Sequence, residues 1–193
     1  MGAPKKAVVM NKILFLALII ISITSCNGNK KIDSQFILIN KVISKEYDLK
    51  KFEYRGLRNY RAANEAYMEK LKCKDLKGYN IINFWASWCY PCIEEVEDFN
   101  DFMVRENSNL EIIGINIFDD YEEAKKFILS NRPDYPNFFD ETKTIPVEFG
   151  VSGVPETFFL YDNRIIYKYV GKISSDKINE GLSKTFTYVE NNN

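Results

Sequence analysis

The chain has 193 residues with nearly balanced charge, 26 Lys and Arg against 27 Asp and Glu, and it contains no His and four Cys. Hydrophobic residues make up 46% of the sequence and aromatic residues 15%, which is typical of a globular domain with a real core. The balanced charge, together with the lack of a basic-aromatic patch or a nucleotide-binding loop, argues against nucleic acid as a partner.

Residues 1–26 are predicted to be an export signal. Basic residues precede an apolar stretch at 13–23, which is too short to span a bilayer because a spanning helix needs about 20 residues. A cleavable signal is therefore favoured. The small residues before Cys26 resemble a bacterial lipobox, which predicts Cys26 as a lipid attachment site and a mature protein tethered to the membrane. An ordinary cleaved signal with an incidental Cys, or an uncleaved anchor, are the alternatives.

Residues 27–72 are predicted to form a tether and an N-terminal extension. Residues 35–43 have the composition of an early strand. Farther along, apolar side chains recur three and four positions apart, which predicts an amphipathic helix: Leu57, Tyr60, Ala63, Tyr67 and Leu71. We expect this helix to pack on the main domain, and docking of a partner is the alternative.

Residues 73–190 are predicted to form one α/β domain. Its elements are a buried strand at 79–85, a helix at 92–103, a strand at 110–117, a helix at 121–130, a short strand at 138–139, a turn or helix at 144–149, a hairpin of strands at 157–161 and 164–170, and a closing helix at 174–188. This order predicts a sheet with helices on both faces.

Cys89 and Cys92 have the clearest chemical meaning. They follow the first core strand and lie at the start of the first helix. Unpaired N–H groups at a helix N-terminus stabilise a thiolate, which is the nucleophile of disulfide exchange. Pro91 fits the first helical turn, because its missing N–H would have no partner there. Half of a zinc site or a structural disulfide are the alternatives, although the chain has no His to complete a metal site.

Two stretches of the sequence resemble a known family. Residues 83–92, Asn-Phe-Trp-Ala-Ser-Trp-Cys-Tyr-Pro-Cys, with Glu95 three positions later, resemble the membrane-tethered thioredoxin-fold reductants of the TlpA, ResA and CcmG type. Residues 149–159, Phe-Gly-Val-Ser-Gly-Val-Pro-Glu-Thr-Phe-Phe, are similar to the Gly-Val-x-Gly-x-Pro-Glu-Thr-Phe stretch of CcmG, also called DsbE, the cytochrome c biogenesis member. The resemblance implies a thioredoxin-like fold: a central mixed β-sheet flanked by helices, with an inserted segment before a cis-proline loop at Pro155.

The chemistry of exchange and the resemblance together suggest roles for three residues. Cys89, as the exposed thiol, is expected to attack the target disulfide, and Cys92, one turn deeper, is expected to resolve the mixed disulfide. Cys92 must lose a proton in that step. Glu95 is placed to accept it, and the family uses an acidic residue there. A solvent-facing Glu favoured by the helix dipole is the alternative.

The other candidate site residues are expected to bind the target. In the family the cis-proline, here Pro155, lies against the disulfide, and the backbone of Val154 would pair with an extended substrate peptide. Without the resemblance this segment would be predicted as a simple turn. Trp88 is expected to line the groove or to pack at its rim, beside Tyr90 and Pro91.

Two further features concern cysteine chemistry. Cys73 is interpreted as an incidental or buried thiol, since the family usually has none there, and a regulatory partner for Cys89 is the alternative. Four acidic residues crowd the start of the dithiol helix: Glu94, Glu95, Glu97 and Asp98. Negative charge disfavours a thiolate and so favours a reductant, although the helix dipole acts in the opposite direction.

These observations predict a thiol-disulfide oxidoreductase that acts as a reductant in the bacterial cell envelope. The resemblance implies a role in cytochrome c biogenesis, with apocytochrome c among the exported disulfide-containing partners and a membrane thiol carrier as electron donor. We expect a monomer with no cofactor and no metal. A general TlpA-like reductase, an oxidase or isomerase, and a copper or zinc chaperone using the two thiols are the alternatives.

Overall fold

The computed structural model describes residues 35–43, 46–47, 50–51, 71–72, 76–105 and 110–192. These residues belong to one compact unit that spans residues 34–193. The predictions for the export signal, for Cys26, for Cys73 and for most of the helix ending at Leu71 lie outside the described residues. Leu71 itself lies in a two-residue strand, so the prediction that it ends a helix is wrong.

The described residues form nine strands and four helices. The strands are β1 (Phe36–Val42), β2 (Glu46–Tyr47), β3 (Lys50–Lys51), β4 (Leu71–Lys72), β5 (Tyr79–Trp85), β6 (Glu111–Asn116), β7 (Asn137–Phe139), β8 (Glu156–Tyr161) and β9 (Arg164–Val170). The helices are α1 (Tyr90–Arg105), α2 (Tyr121–Asn131), α3 (Ile145–Phe149) and α4 (Ser175–Asn192).

Seven of the strands form one mixed sheet in the order β1-β9-β8-β5-β6-β7-β3, and β2 pairs with β4 separately. The β5–β6 and β6–β7 pairs are parallel. The β5–β8 and β8–β9 pairs are antiparallel. The predicted mixed sheet is therefore confirmed. Its edge strand β1 comes from the segment that the sequence assigns to the extension, and it pairs antiparallel with β9.

Strand β5 lies in the middle of the sheet. Both of its faces are buried, as its nearly continuous apolar sequence predicts. On one face Ile81 belongs to a cluster with Phe99 of α1 and Ile178 of α4. On the other face Ile82 belongs to a cluster with Phe149 of α3. Helices thus cover both faces of the sheet. The buried strand β5 ends at Trp85, shortly before α1 begins at Tyr90.

Capping side chains lie at the N-terminal ends of helices α4 and α2. The Ser174 hydroxyl oxygen accepts a hydrogen bond from the Lys177 N–H at 3.4 Å, which caps the start of α4. The Asp120 carboxylate accepts hydrogen bonds from the N–H groups of Glu122 and Glu123 at the start of α2. Within the described ranges, no helix combines the length and apolarity that crossing a bilayer requires.

Helix α4 lies close to the sheet at Gly181, where an added Cβ would lie 2.2 Å from Cζ of Phe159. We expect Gly181→Ala to lower the free energy of unfolding by about 1–3 kcal/mol, because the Phe159 ring is fully buried and overpacking forces it to shift. Urea denaturation measures the difference. Gly153→Ala is the matched control, since its Cβ would meet nothing within 4 Å. A Gly181→Ala protein as stable as the control would contradict the prediction.

Candidate active site

Cys89 and Cys92 form a disulfide with their Cα atoms 5.3 Å apart. Cys89 directly precedes α1, and Cys92 lies in its first turn. The Cys92 N–H donates a hydrogen bond to Sγ of Cys89 at 3.2 Å, and the Ile93 N–H donates to the carbonyl oxygen of Cys89 at 3.3 Å. A thiolate on Cys89 would therefore receive the helix N–H group that the sequence predicts for it.

Both cysteines are buried, and Cys89 keeps slightly more of its surface exposed than Cys92. Cys89 keeps 4% of its surface exposed and Cys92 keeps 1%, so Cys89 is the more accessible thiol. The prediction that Cys89 is exposed is wrong for the bridged state, because both cysteines belong to an apolar cluster with Trp85 and Phe127. An incoming target therefore meets only the small exposed part of Cys89.

The residues on either side of Cys89 in the sequence are exposed aromatic side chains. Trp88 is 64% exposed and Tyr90 is 68% exposed, and Pro91 is also exposed. The Trp88 indole N–H donates a hydrogen bond to the Phe118 carbonyl oxygen at 3.1 Å, which fixes the ring at the surface. Trp85 is buried and stacks on a core ring instead. The exposed residues give a target chain an aromatic surface next to the disulfide.

The peptide bond between Val154 and Pro155 is cis, as the family resemblance implies. Val154 is half-buried and packs against the apolar cluster that contains the two cysteines. The loop thus lies beside the disulfide. The Pro155 carbonyl oxygen accepts a hydrogen bond from the Gly171 N–H at 3.0 Å, which ties the loop to the end of β9.

A buried ion pair supports the same loop. The Glu156 carboxylate accepts a hydrogen bond from the Lys168 ammonium group at 3.1 Å, and this ammonium group also donates to the Gly150 carbonyl oxygen at 3.0 Å. The other Glu156 carboxylate oxygen accepts from the Ser152 N–H at 3.1 Å and from the Ser152 hydroxyl. Glu156 belongs to the motif at residues 149–159, but no role was predicted for it from the sequence. The signal of this pair in the sequence was a charged residue in each of two apolar strands, Glu156 in β8 and Lys168 in β9.

Glu95 is buried, with only 1% of its surface exposed, so the solvent-facing alternative is wrong. One carboxyl oxygen accepts a hydrogen bond from the Asn83 amide at 2.8 Å, and the other accepts from the Ile173 N–H at 3.2 Å. Burial raises the pKa of Glu95 to about 8, against the lowering effect of these two hydrogen bonds. Asp98 raises the pKa further and Lys172 lowers it. A carboxyl group with this pKa can take up or release a proton near neutral pH.

The structure does not support the use of acidic residues near the dithiol to predict a reductant. Glu95 is mostly neutral below about pH 8 because of its raised pKa. The Glu94 carboxylate forms an ion pair with the Lys172 ammonium group at 3.2 Å. These two side chains therefore add little net negative charge at pH 7, and the number of acidic residues does not determine the direction of electron flow.

A further acidic residue, Asp119, holds the chain just before the cysteines. Its carboxylate accepts hydrogen bonds from the Ser87 N–H at 2.5 Å, the Ser87 hydroxyl at 2.8 Å and the Asn116 amide at 2.8 Å. Neither Asp119 nor Asn83 was predicted as a site residue. For Asn83 the available signal was a polar side chain in the middle of an apolar strand, which has to find a buried partner. Asp119 lies three residues beyond the end of β6.

No group of three or more Cys, Asp or Glu side chains among the described residues could hold a metal ion. The only thiols in the described ranges are Cys89 and Cys92, which are bonded to each other. The arrangement therefore pairs a redox-active disulfide with a buried carboxyl group one helical turn away and with a cis-proline loop beside the sulfurs.

Comparison with known proteins agrees with this geometry. Residues 48–169 match the model of the AhpC/TSA family. The chain is 27% identical over 122 residues to the thiol-disulfide oxidoreductase ResA of Bacillus thuringiensis, covering 62% of this chain and 70% of that protein. It is 31% identical over 109 residues to the thiol:disulfide interchange protein DsbE of Vibrio cholerae, covering 55% and 57%.

Solved structures support the predicted fold class. The thioredoxin domain of a thiol-disulfide oxidoreductase from Bacteroides vulgatus superposes with a TM-score of 0.56. The match covers 77% of this chain and 99% of that domain, at 15% sequence identity. At this identity the likeness shows the fold alone, and the thioredoxin-like fold is confirmed.

Proposed function

We propose that this chain, which belongs to the AhpC/TSA family and is a thiol-disulfide oxidoreductase, reduces disulfides of exported proteins in the bacterial cell envelope. The observation that carries this proposal is the Cys89–Cys92 disulfide at the start of α1, with buried Glu95 one turn farther along. The bridged form is the product of one reductive cycle, in which the two thiols have given two electrons to a target.

The reaction begins with the dithiol form. The Cys89 thiolate attacks a target disulfide, so that a bond forms from Cys89 to one target sulfur and the other target sulfur leaves as a thiolate. Cys92 then gives its proton to the ionised form of Glu95 and attacks Cys89. The enzyme disulfide forms, the mixed disulfide breaks, and the second target sulfur leaves and takes up a proton. Two electrons pass to the target in each cycle.

Target binding uses the exposed surface beside Cys89. We assign the exposed residues Trp88, Tyr90 and Pro91 to contact with apolar side chains of the target. The backbone of Val154, held in place by cis Pro155, would pair with an extended peptide segment. This mode of binding selects extended chains with an accessible disulfide, which describes an exported protein before it has folded.

Within this activity we assign the chain to cytochrome c biogenesis, with the heme-attachment thiols of apocytochrome c as targets. The resemblance of residues 149–159 to the DsbE stretch supports the assignment, as does the 31% identity to DsbE of Vibrio cholerae. We further propose that the protein is a monomer tethered through lipid on Cys26 and that a membrane thiol carrier restores the dithiol. A general TlpA-like reductase shares every step except the identity of the target.

The midpoint potential of the Cys89–Cys92 pair tests the direction of electron flow. We expect a value of about −270 mV or lower, near that of thioredoxin, as a reductant requires. Equilibration with dithiothreitol buffers, followed by thiol labelling and mass spectrometry, measures this potential. A value of about −120 mV would identify an oxidase and contradict the proposal. Tight stoichiometric Cu(I) or zinc binding without disulfide exchange would identify a metal chaperone instead.

A further inference from the structure

We propose that Asn83 is a positioning residue for the second step of exchange: it orients the Glu95 carboxyl group and keeps it able to ionise at neutral pH. This inference rests on the proposed role of Glu95 as the proton acceptor for Cys92. Asn83 lies in the middle of β5, on the strand that leads to the cysteines, and only 1% of its surface is exposed.

The orientation of the Asn83 side chain is fixed by two acceptors. Its amide nitrogen donates one hydrogen bond to Oε1 of Glu95 at 2.8 Å and another to Oγ1 of Thr157 at 3.3 Å. A side-chain amide nitrogen carries two hydrogens, so both are used. Rotation of the amide by half a turn would bring its carbonyl oxygen against Oε1 of Glu95, and an ionised Glu95 has no proton to donate to it. Asn83 therefore links β5 to α1 and to β8, the strand that follows the cis-proline.

The two Glu95 oxygens receive donors from different parts of the fold. Oε1 accepts from Asn83, and Oε2 accepts from the Ile173 N–H at 3.2 Å, in the segment between β9 and α4. Donors of this kind favour the ionised carboxylate, whereas burial favours the neutral acid. The charged neighbours, Asp98 on α1 and Lys172 beside Ile173, act in opposite directions. Cys92, one turn earlier on α1, is the other titratable group on this side of the helix once the disulfide is open.

Burial raises the pKa of Glu95, and the hydrogen bond from Asn83 lowers it. When this donor is lost, one fewer hydrogen bond opposes the effect of burial. The Glu95 carboxyl group then stays protonated to a higher pH, and at neutral pH it cannot take the proton from Cys92. The mixed disulfide on Cys89 should persist longer, while the first attack by Cys89 is unchanged. Asn83 thus acts on the rate through another residue and touches no reacting sulfur itself.

Asn83→Leu tests this inference, because it removes the donor and keeps the branching of the side chain at Cγ. The experiment measures the rate at which a preformed mixed disulfide between Cys89 and a peptide thiol resolves, as a function of pH. We expect the midpoint of this profile to rise by about one to two pH units, the equivalent of one hydrogen bond to a charged group. Asn83→Ser is a milder change and should shift the midpoint in the same direction by less. This variant tests the inference if the Leu variant does not fold.

The matched control is Asn80→Leu. Asn80 lies on the same strand and is equally buried, but its amide donates to the carbonyl oxygens of Lys77 and Gly78. We expect similar destabilisation and no shift of the midpoint. A shift of equal size in Asn80→Leu would overturn the inference, as would folded Asn83 variants with an unchanged midpoint.

A double-variant comparison separates this inference from the proposed function. In a Glu95→Gln protein, Asn83→Leu should cause no further change in the pH profile, because the group on which it acts no longer titrates. An additional shift in that background would show that Asn83 acts elsewhere. If Glu95→Gln alone leaves the rate of resolution and its pH profile unchanged, the proposed role of Glu95 fails, whatever the Asn83 variants do.

Discussion

Replacement of Cys92 by Ser is expected to stop turnover and to leave Cys89 in a stable mixed disulfide with its target. The first attack needs only the Cys89 thiol, which receives the Cys92 backbone N–H and is the more accessible of the two. The second attack needs a sulfur at position 92, and a hydroxyl at ordinary pKa cannot replace it. We expect a loss of about three orders of magnitude or more in multiple-turnover reduction of a peptide disulfide. Mass spectrometry of the unreduced protein detects the adduct.

Cys89→Ser is the matched control for this experiment. It should lose turnover to the same degree and form no adduct, because Cys92 keeps only 1% of its surface exposed. A stable adduct on Cys92 in Cys89→Ser would reverse the assigned roles of attacking and resolving thiols. Turnover by Cys92→Ser at a rate close to that of the unchanged protein would show that external thiols resolve the mixed disulfide.

The elements around the site could be predicted because local sequence determines them. The apolar run of β5 is buried on both faces, and its observed bounds, Tyr79–Trp85, agree with the prediction. The hairpin of β8 and β9 turns at Asp162 and Asn163, as turn residues between two apolar runs indicate. The two-residue strands β2, β3 and β4 could not be predicted in this way. Each is defined by pairing with a distant strand, and two residues carry no periodicity.

The same difference between local sequence and long-range contacts applies to the site residues. The Cys89–Cys92 pair and the cis Pro155 were found because they belong to contiguous motifs. Asn83 and Asp119 were missed because their roles depend on contacts between elements. The hydrogen bonds that Asp119 makes with Ser87 join residues 32 positions apart, and one sequence does not indicate which polar groups meet across that separation.

Glu95→Gln is expected to stabilise the oxidised protein at alkaline pH while it slows exchange. The folded state raises the pKa of Glu95 to about 8 from an ordinary value of 4.5, so between these values the folded protein holds a proton that the unfolded chain releases. Stability therefore declines as pH rises through this window and reaches its lower level above about pH 8. Gln keeps the shape of the neutral acid and cannot ionise.

The expected effect of Glu95→Gln on the free energy of unfolding is more favourable by about 2–4 kcal/mol at about pH 9 than at about pH 4.5. Urea denaturation of the disulfide-bonded protein at the two pH values measures this difference. Glu97→Gln, exposed on the same helix, is the control and should leave the pH dependence unchanged. An equal effect of Glu95→Gln at both pH values would mean that Glu95 does not titrate in this range. A gain confined to alkaline pH, together with slower resolution of the mixed disulfide, would show that one buried carboxyl group lowers stability and supplies the proton acceptor for Cys92.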